Sequence, residues 1–162
     1  MLLYILRHAE AEALSPSGLD ADRALTDAGT KRMKLVARAI ARMEPGFDAI
    51  LLSPLLRARQ TAEPVIAACR FKGEPIVTEA LLPGSDPMSI LSEVETAEWK
   101  SVLLVGHEPH MGRLVGRLVS GRKDVEVPMK KAALAVFELH PHLAPGHAEL
   151  KSYLPPRILE RL

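Results

Sequence analysis

The sequence predicts an α/β protein: a three-layer α/β/α sandwich with a mostly parallel central sheet and a C-terminal antiparallel hairpin. Three observations lead there. Three short runs are apolar without interruption, namely Leu2–Leu6, Ala49–Leu52 and Val102–Val105; each is followed by a segment of helical period; and the texture changes after Ala132. Unbroken apolar runs are expected of strands covered on both faces of a parallel sheet. Their alternation with helices is the pattern of a layered α/β fold.

Taken in order, the first strand runs straight into Arg7 and His8, and a polar, small-residue stretch with Pro16 and Gly18, Ala11–Arg23, reads as a long loop behind it. Thr26 is a good N-cap with Asp27 at the positive end of the helix dipole, and Met33, Val36, Ala37 and Ile40 recur at helical spacing until Pro45-Gly46. After the second strand, Ser53-Pro54 predicts a helix start with proline at the first position, continuing through Leu55, Ala58, Ala62, Val65 and Ile66, with Pro64 threatening a kink. A short strand is expected at 76–78 and a helix at 87–97. After the third strand, Met111, Leu114, Val115, Leu118 and Val119 form one apolar stripe. Residues 133–139 and 149–154 read as the two strands of the hairpin, joined across a Pro- and Gly-rich loop, His140–His147.

A chain of 162 residues fits one domain, 1–162, without a large lid insertion and with no internal repeat. The formal net charge is +1 with acids and bases interspersed, which speaks against nucleic-acid binding, where a basic excess gathers on one face. Leu2–Leu6 is far too short for a signal segment, and no stretch approaches the roughly 20 apolar residues of a membrane span. Cys69 is the single cysteine, which excludes an internal disulfide and reads as a buried small hydrophobe in a reducing compartment. A cytoplasmic protein is expected.

Chemistry gathers where polar residues end the buried strands: Arg7-His8 after the first, Ser53 to Arg57 after the second, His107 after the third. In open α/β sheets ligands bind outside the carboxyl ends of the strands, so residues far apart in sequence converge there. Two arginines and two histidines make an anion site. Arginine's planar fork holds two phosphoryl oxygens at once, and Arg57, expected in the first turn of its helix, adds free backbone N–H groups and a favourable dipole. Phosphoryl transfer asks for in-line positioning and charge neutralisation, which arginines and imidazoles supply without a metal. Neither cofactor nor metal is therefore expected, and phosphate-like anions are the expected ligands. A neutral imidazole suits the nucleophile. Nearby cations favour that neutral form and a bound phosphate opposes it. His107 suits a hydrogen-bond donor. Arg23 is expected to anchor its loop and Arg59 to face solvent or an acidic neighbour. Pro109 between His107 and His110 argues against a helical metal pair, and His140, His142 and His147 read as loop residues rather than ligands.

Three segments, Leu6 to Ala11, Ser53 to Ala62 and Val105 to Pro109, together resemble the histidine phosphatase superfamily shared by phosphoglycerate mutases and acid phosphatases. The short length and the run Asp22 to Thr26 leading into Gly29 look most like its phosphohistidine phosphatase branch, the SixA type. The resemblance implies a phosphoglycerate mutase-like fold. It implies that His8 takes the phosphoryl group, that Arg7, Arg57 and His107 hold it, and that the substrate is phosphohistidine on a signalling or carrier protein, such as a histidine phosphotransfer or phosphocarrier domain. Two positions depart from the family pattern. Ala9 stands where the superfamily usually has glycine, and Glu79, followed by Gly84, is the one candidate for the carboxylate with which ester-cleaving relatives protonate the leaving oxygen. Phosphohistidine has a good leaving group, so a weak acid favours phosphoramidate over ester cleavage. The competing functions are a phosphatase for small phosphate esters on the same scaffold and a phosphate-binding module without turnover.

Overall fold

The computed structural model describes residues 1–140, residue 146 and residues 148–162. Six strands form one sheet: β1 (Leu2–Arg7), β2 (Ala49–Leu52), β3 (Ile76–Val77), β4 (Ser101–Gly106), β5 (Leu134–Leu139) and β6 (Ala148–Leu154). Their spatial order is β3-β2-β4-β1-β5-β6. The first four are mutually parallel, and β5 and β6 run antiparallel as the predicted hairpin. The connecting loop, with His142 and His147, lies mostly outside the described residues.

Alternation along the strands feeds two cores. Tyr4, Leu6, Ile50, Leu52, Leu103 and Val105 point to one face, against α1 (Asp27–Arg42), α2 (Leu56–Ala68) and α5 (Pro156–Leu159). Leu3, Ile5, Leu51, Val102, Leu104 and Phe137 point to the other, against α3 (Ser89–Glu95) and α4 (His110–Ser120). The result is the expected three-layer sandwich. Among the described residues no helix is long and apolar enough to cross a membrane.

Several boundaries differ from expectation for local reasons. Helix α2 starts at Leu56, not at Pro54, because the Ser53 hydroxyl accepts the Leu55 N–H at 3.4 Å and holds Ser53-Pro54 in a turn. Pro64 lies inside α2 without ending it. Helix α3 is shorter than 87–97; Asp86 Oδ1 accepts the Met88 N–H at 3.0 Å and keeps that residue outside the helix. Val119 is 45% exposed, leaving the other four residues of its stripe to carry the α4 core face. Cys69 caps the end of α2 and is only half-buried.

The order of connections creates the pocket. After β1 the chain passes through α1 on one face; after the adjacent β4 it passes through α4 on the other. Such a switch point opens a crevice at the carboxyl ends of the two strands. One close approach shapes its rim. Thr26 caps α1, its hydroxyl accepting the Gly29 N–H at 3.0 Å, and the helix seats so near the loop after β1 that a Cβ on Gly29 would fall 2.2 Å from the Glu10 carbonyl oxygen.

Alanine would otherwise gain about 1 kcal/mol of helix propensity there, whereas forcing a methyl into packed backbone costs roughly 1–3 kcal/mol or more. Gly29→Ala is therefore expected to destabilise the protein by about 1 kcal/mol or more in urea unfolding, net of propensity. A stabilised variant would show that the contact yields easily.

Candidate active site

The ladder between β1 and β4 pairs Arg7 with Gly106, so the next residues, His8 and His107, emerge side by side. Their ring centroids lie 4.9 Å apart with the planes tilted by 51°. His8 is 7% exposed, His107 1% and Arg57 5%; polar groups this buried, at the ends of β1 and β4 and in the first turn of α2, are rare in a core and mark a candidate site. His8 Nδ1 is 2.6 Å from the Ala9 carbonyl oxygen. A carbonyl only accepts, so Nδ1 carries the proton and Nε2 keeps its lone pair. Among the described residues, neither ring nitrogen of His107 has a hydrogen-bond partner, nor does Arg7 Nε.

Both arginines are braced. Arg57, the second residue of α2, donates from one terminal nitrogen to the Asp20 carbonyl at 2.8 Å and from the other to the Asp20 carboxylate at 3.0 Å. Arg7 donates to the carbonyl of Met129, whose own N–H is held at 2.7 Å by the Glu108 carboxylate. Thr61 ties the two halves of the site together: its hydroxyl donates to the Arg57 carbonyl at 2.7 Å and accepts the Ala9 N–H at 3.1 Å. The sequence reading missed Asp20, Thr61 and Glu108. Asp20 lies in a loop marked only by its length and composition, and Thr61 and Glu108 lie inside the segments Ser53 to Ala62 and Val105 to Pro109 without a signal of their own.

Arg23 anchors the loop as expected, donating to the Glu12 carbonyl at 2.6 Å and to Asp20 Oδ1 at 2.8 Å. Arg59 is exposed. Ala9 is fully buried with a negative φ, so its backbone conformation asks for no glycine. Glu79 opens a short 3-10 turn, Glu79–Leu81, beyond β3. Its side chain is exposed and makes no hydrogen bond to the quartet, although Leu81 of the same turn packs its carbonyl against Gly106. His110 is buried at the start of α4. Among the described residues no cluster of metal-ligating side chains is present.

Burial pushes His8 down to about 4, with Arg57, Arg7 and Lys131 acting in the same direction against the Ala9 hydrogen bond. His107 is pushed down to about 2, chiefly by burial and then by His8 and Arg57. Both imidazoles are thus neutral near pH 7. The Asp20 carboxyl is held below its usual value, first by the hydrogen bond from Arg23 and also by Arg57, so the carboxylate that touches the quartet is ionised.

The folded protein takes up the two imidazole protons less readily than the unfolded chain. Stability is therefore full above pH 6.5 and falls as the pH drops toward 4, where His8 finally protonates in the fold. Each histidine costs roughly 2 kcal/mol at pH 5 relative to pH 7. Urea unfolding at the two pH values should show a loss of several kcal/mol, and the imidazole C–H resonances of His8 should stay at their neutral positions down to about pH 5. A midpoint near the ordinary histidine value would contradict the burial argument.

Comparison with known proteins agrees with this geometry. Residues 3–82 match the histidine phosphatase superfamily (branch 1). An uncharacterized protein of Picosynechococcus sp. is 36% identical over 139 residues, 83% of this chain and 82% of that protein. Phosphohistidine phosphatase SixA of Escherichia coli is 31% identical over 124 residues, 75% of this chain and 76% of that one. The solved structure of the protein histidine phosphatase SixA complexed with tungstate superposes with a TM-score of 0.85 at 26% identity, over 97% of this chain and 98% of that one. With its strand order, its paired histidines and these relatives, the chain belongs to the SixA-type branch of the histidine phosphatase superfamily and is a phosphatase.

Proposed function

We propose that this phosphatase hydrolyses phosphohistidine on a protein, with His8 as the nucleophile. The observation that carries this reading is the state of His8: neutral, oriented through Nδ1 by the Ala9 carbonyl, and flanked by His107 and two arginines. In the first step the Nε2 lone pair attacks phosphorus and the substrate N–P bond breaks; the leaving imidazole departs neutral when its other nitrogen is protonated. In the second, water attacks the phosphorus on His8, the Nε2–P bond breaks, and inorganic phosphate and free His8 result. Arg7, Arg57 and His107 hold the equatorial oxygens, whose charge grows most in the transition state.

The carboxylates favour this substrate over an ester. Asp20 is held ionised between Arg23 and Arg57 and is a poor proton donor, and Glu108 is occupied at Met129. Glu79 is the remaining candidate, placed to act on the leaving oxygen of an ester only if its exposed side chain swings over the pocket. An imidazole leaving group does not need it. The protein partner would be a histidine phosphotransfer or phosphocarrier domain, and a lone, half-buried Cys69 suits the cytoplasm.

An acid-labile phosphoryl label should be trapped on the wild type and be absent from His8→Ala. A phosphohistidine peptide should be turned over faster than an aryl phosphate, in the presence of a metal chelator as well. Glu79→Gln should leave phosphohistidine turnover within about twofold while lowering ester turnover about tenfold or more. Preference for the ester, or loss of activity on chelation, would overturn the assignment.

A further inference from the structure

Where Arg7 leaves the sheet lies a second concavity with a volume of about 520 Å³. It is lined by Arg7, by Arg32 of α1, by Lys130 and Lys131 of the segment before β5, and by Arg157 of α5. That makes five cations drawn from four separate parts of the chain whose total formal charge is only +1. Two carboxylates offset part of this charge: Glu160 accepts the Nε–H of Arg32, and Glu108 lies close enough to Arg7 to favour its charged form. Among the described residues, Lys130, Lys131 and Arg157 appear in no ion pair, and all three are exposed.

The groove adjoins the catalytic quartet through Arg7. Arg7 belongs to both, and Lys131 lies near enough to His8 to lower its pKa. Its volume far exceeds what one phosphoryl group fills, and the pocket holding His8, His107 and Arg57 already provides for that group. Like charges gathered in a concavity repel one another unless an anionic partner compensates them, and they focus the field on whatever approaches. Pro155 and Pro156 form a stiff apolar wall on one side, of the kind on which the stem of an acidic side chain can lie.

We propose that this groove receives an acidic segment of the protein substrate, with Asp or Glu side chains next to the phosphohistidine seated on Lys130, Lys131 and Arg157 while the phosphoryl group enters between His8 and Arg57. The inference rests on the phosphohistidine reading above and adds a recognition element to it. Rim charges of this kind act mainly through association rate and salt dependence, so kcat/KM is the parameter that responds.

Two phosphohistidine peptides, one flanked by Asp and Glu and one by Ser and Gln, separate the two ideas. At low ionic strength the wild type should prefer the acidic peptide about tenfold or more in kcat/KM, and added salt should erode that preference. In the Lys130→Glu/Arg157→Glu double variant the preference should vanish or invert, and in Lys130→Gln/Arg157→Gln it should be intermediate, which distinguishes charge from misfolding. A fluorescent acidic peptide without a phosphoryl group should bind the wild type at low salt by anisotropy, and bind the charge-reversed variant about tenfold more weakly or not at all. Equal kcat/KM for both peptides, with no response to charge reversal, overturns the groove and leaves the chemistry standing. Binding of the acidic peptide without phosphohistidine turnover overturns the chemistry and leaves the groove standing.

Discussion

Register between β1 and β4 is the constraint on which the site depends. Arg7 pairs with Gly106 and Leu52 pairs with Val105 across the same three-strand ladder, so the residues that leave these strands enter one crevice at one height. A slip of one residue would exchange the faces of every side chain in the strand, forcing Leu3, Ile5 or Leu104 into the core shaped for the opposite set and carrying His8 out of line with His107. The two cores, one on each face, therefore fix the site. The apolar alternation of β1 serves packing, and His8 is placed as a consequence.

The pocket keeps imidazoles in a charge state that its own cations reinforce. Burial lowers His8 and His107, and each neighbouring guanidinium adds to the effect. A histidine in water would be partly protonated near its ordinary pKa and would lose its nucleophilic lone pair. Here the tautomer is set by a single backbone carbonyl at 2.6 Å, and the two arginines are each held by carbonyl oxygens.

Much of this was legible in the sequence because it depended on short-range pattern. Continuous apolar runs ending in Arg7-His8, Arg57 or His107 announced strand, sheet position and site together. The misjudged parts depended on contacts with no sequence signature. Helix α2 began two residues late because of the Ser53 hydroxyl, and Val119 left its stripe because the face it occupies is not covered. Asp20 meets Arg57 across 37 residues of chain, and Glu108 reaches Met129 across 21. The cationic groove was invisible for the same reason: its members are scattered through a nearly neutral composition, and only the return of α5 beside α1 gathers them.

The most direct test of the account is a crystal structure of the protein with tungstate at neutral pH. A tetrahedral oxyanion should sit against the edges of both imidazoles, within hydrogen-bond distance of Arg7, Arg57 and His107, with His8 Nε2 facing the metal centre of the anion and Nδ1 still on the Ala9 carbonyl. Tungstate bound elsewhere, or a His8 ring turned so that Nε2 points away from the anion, would contradict it.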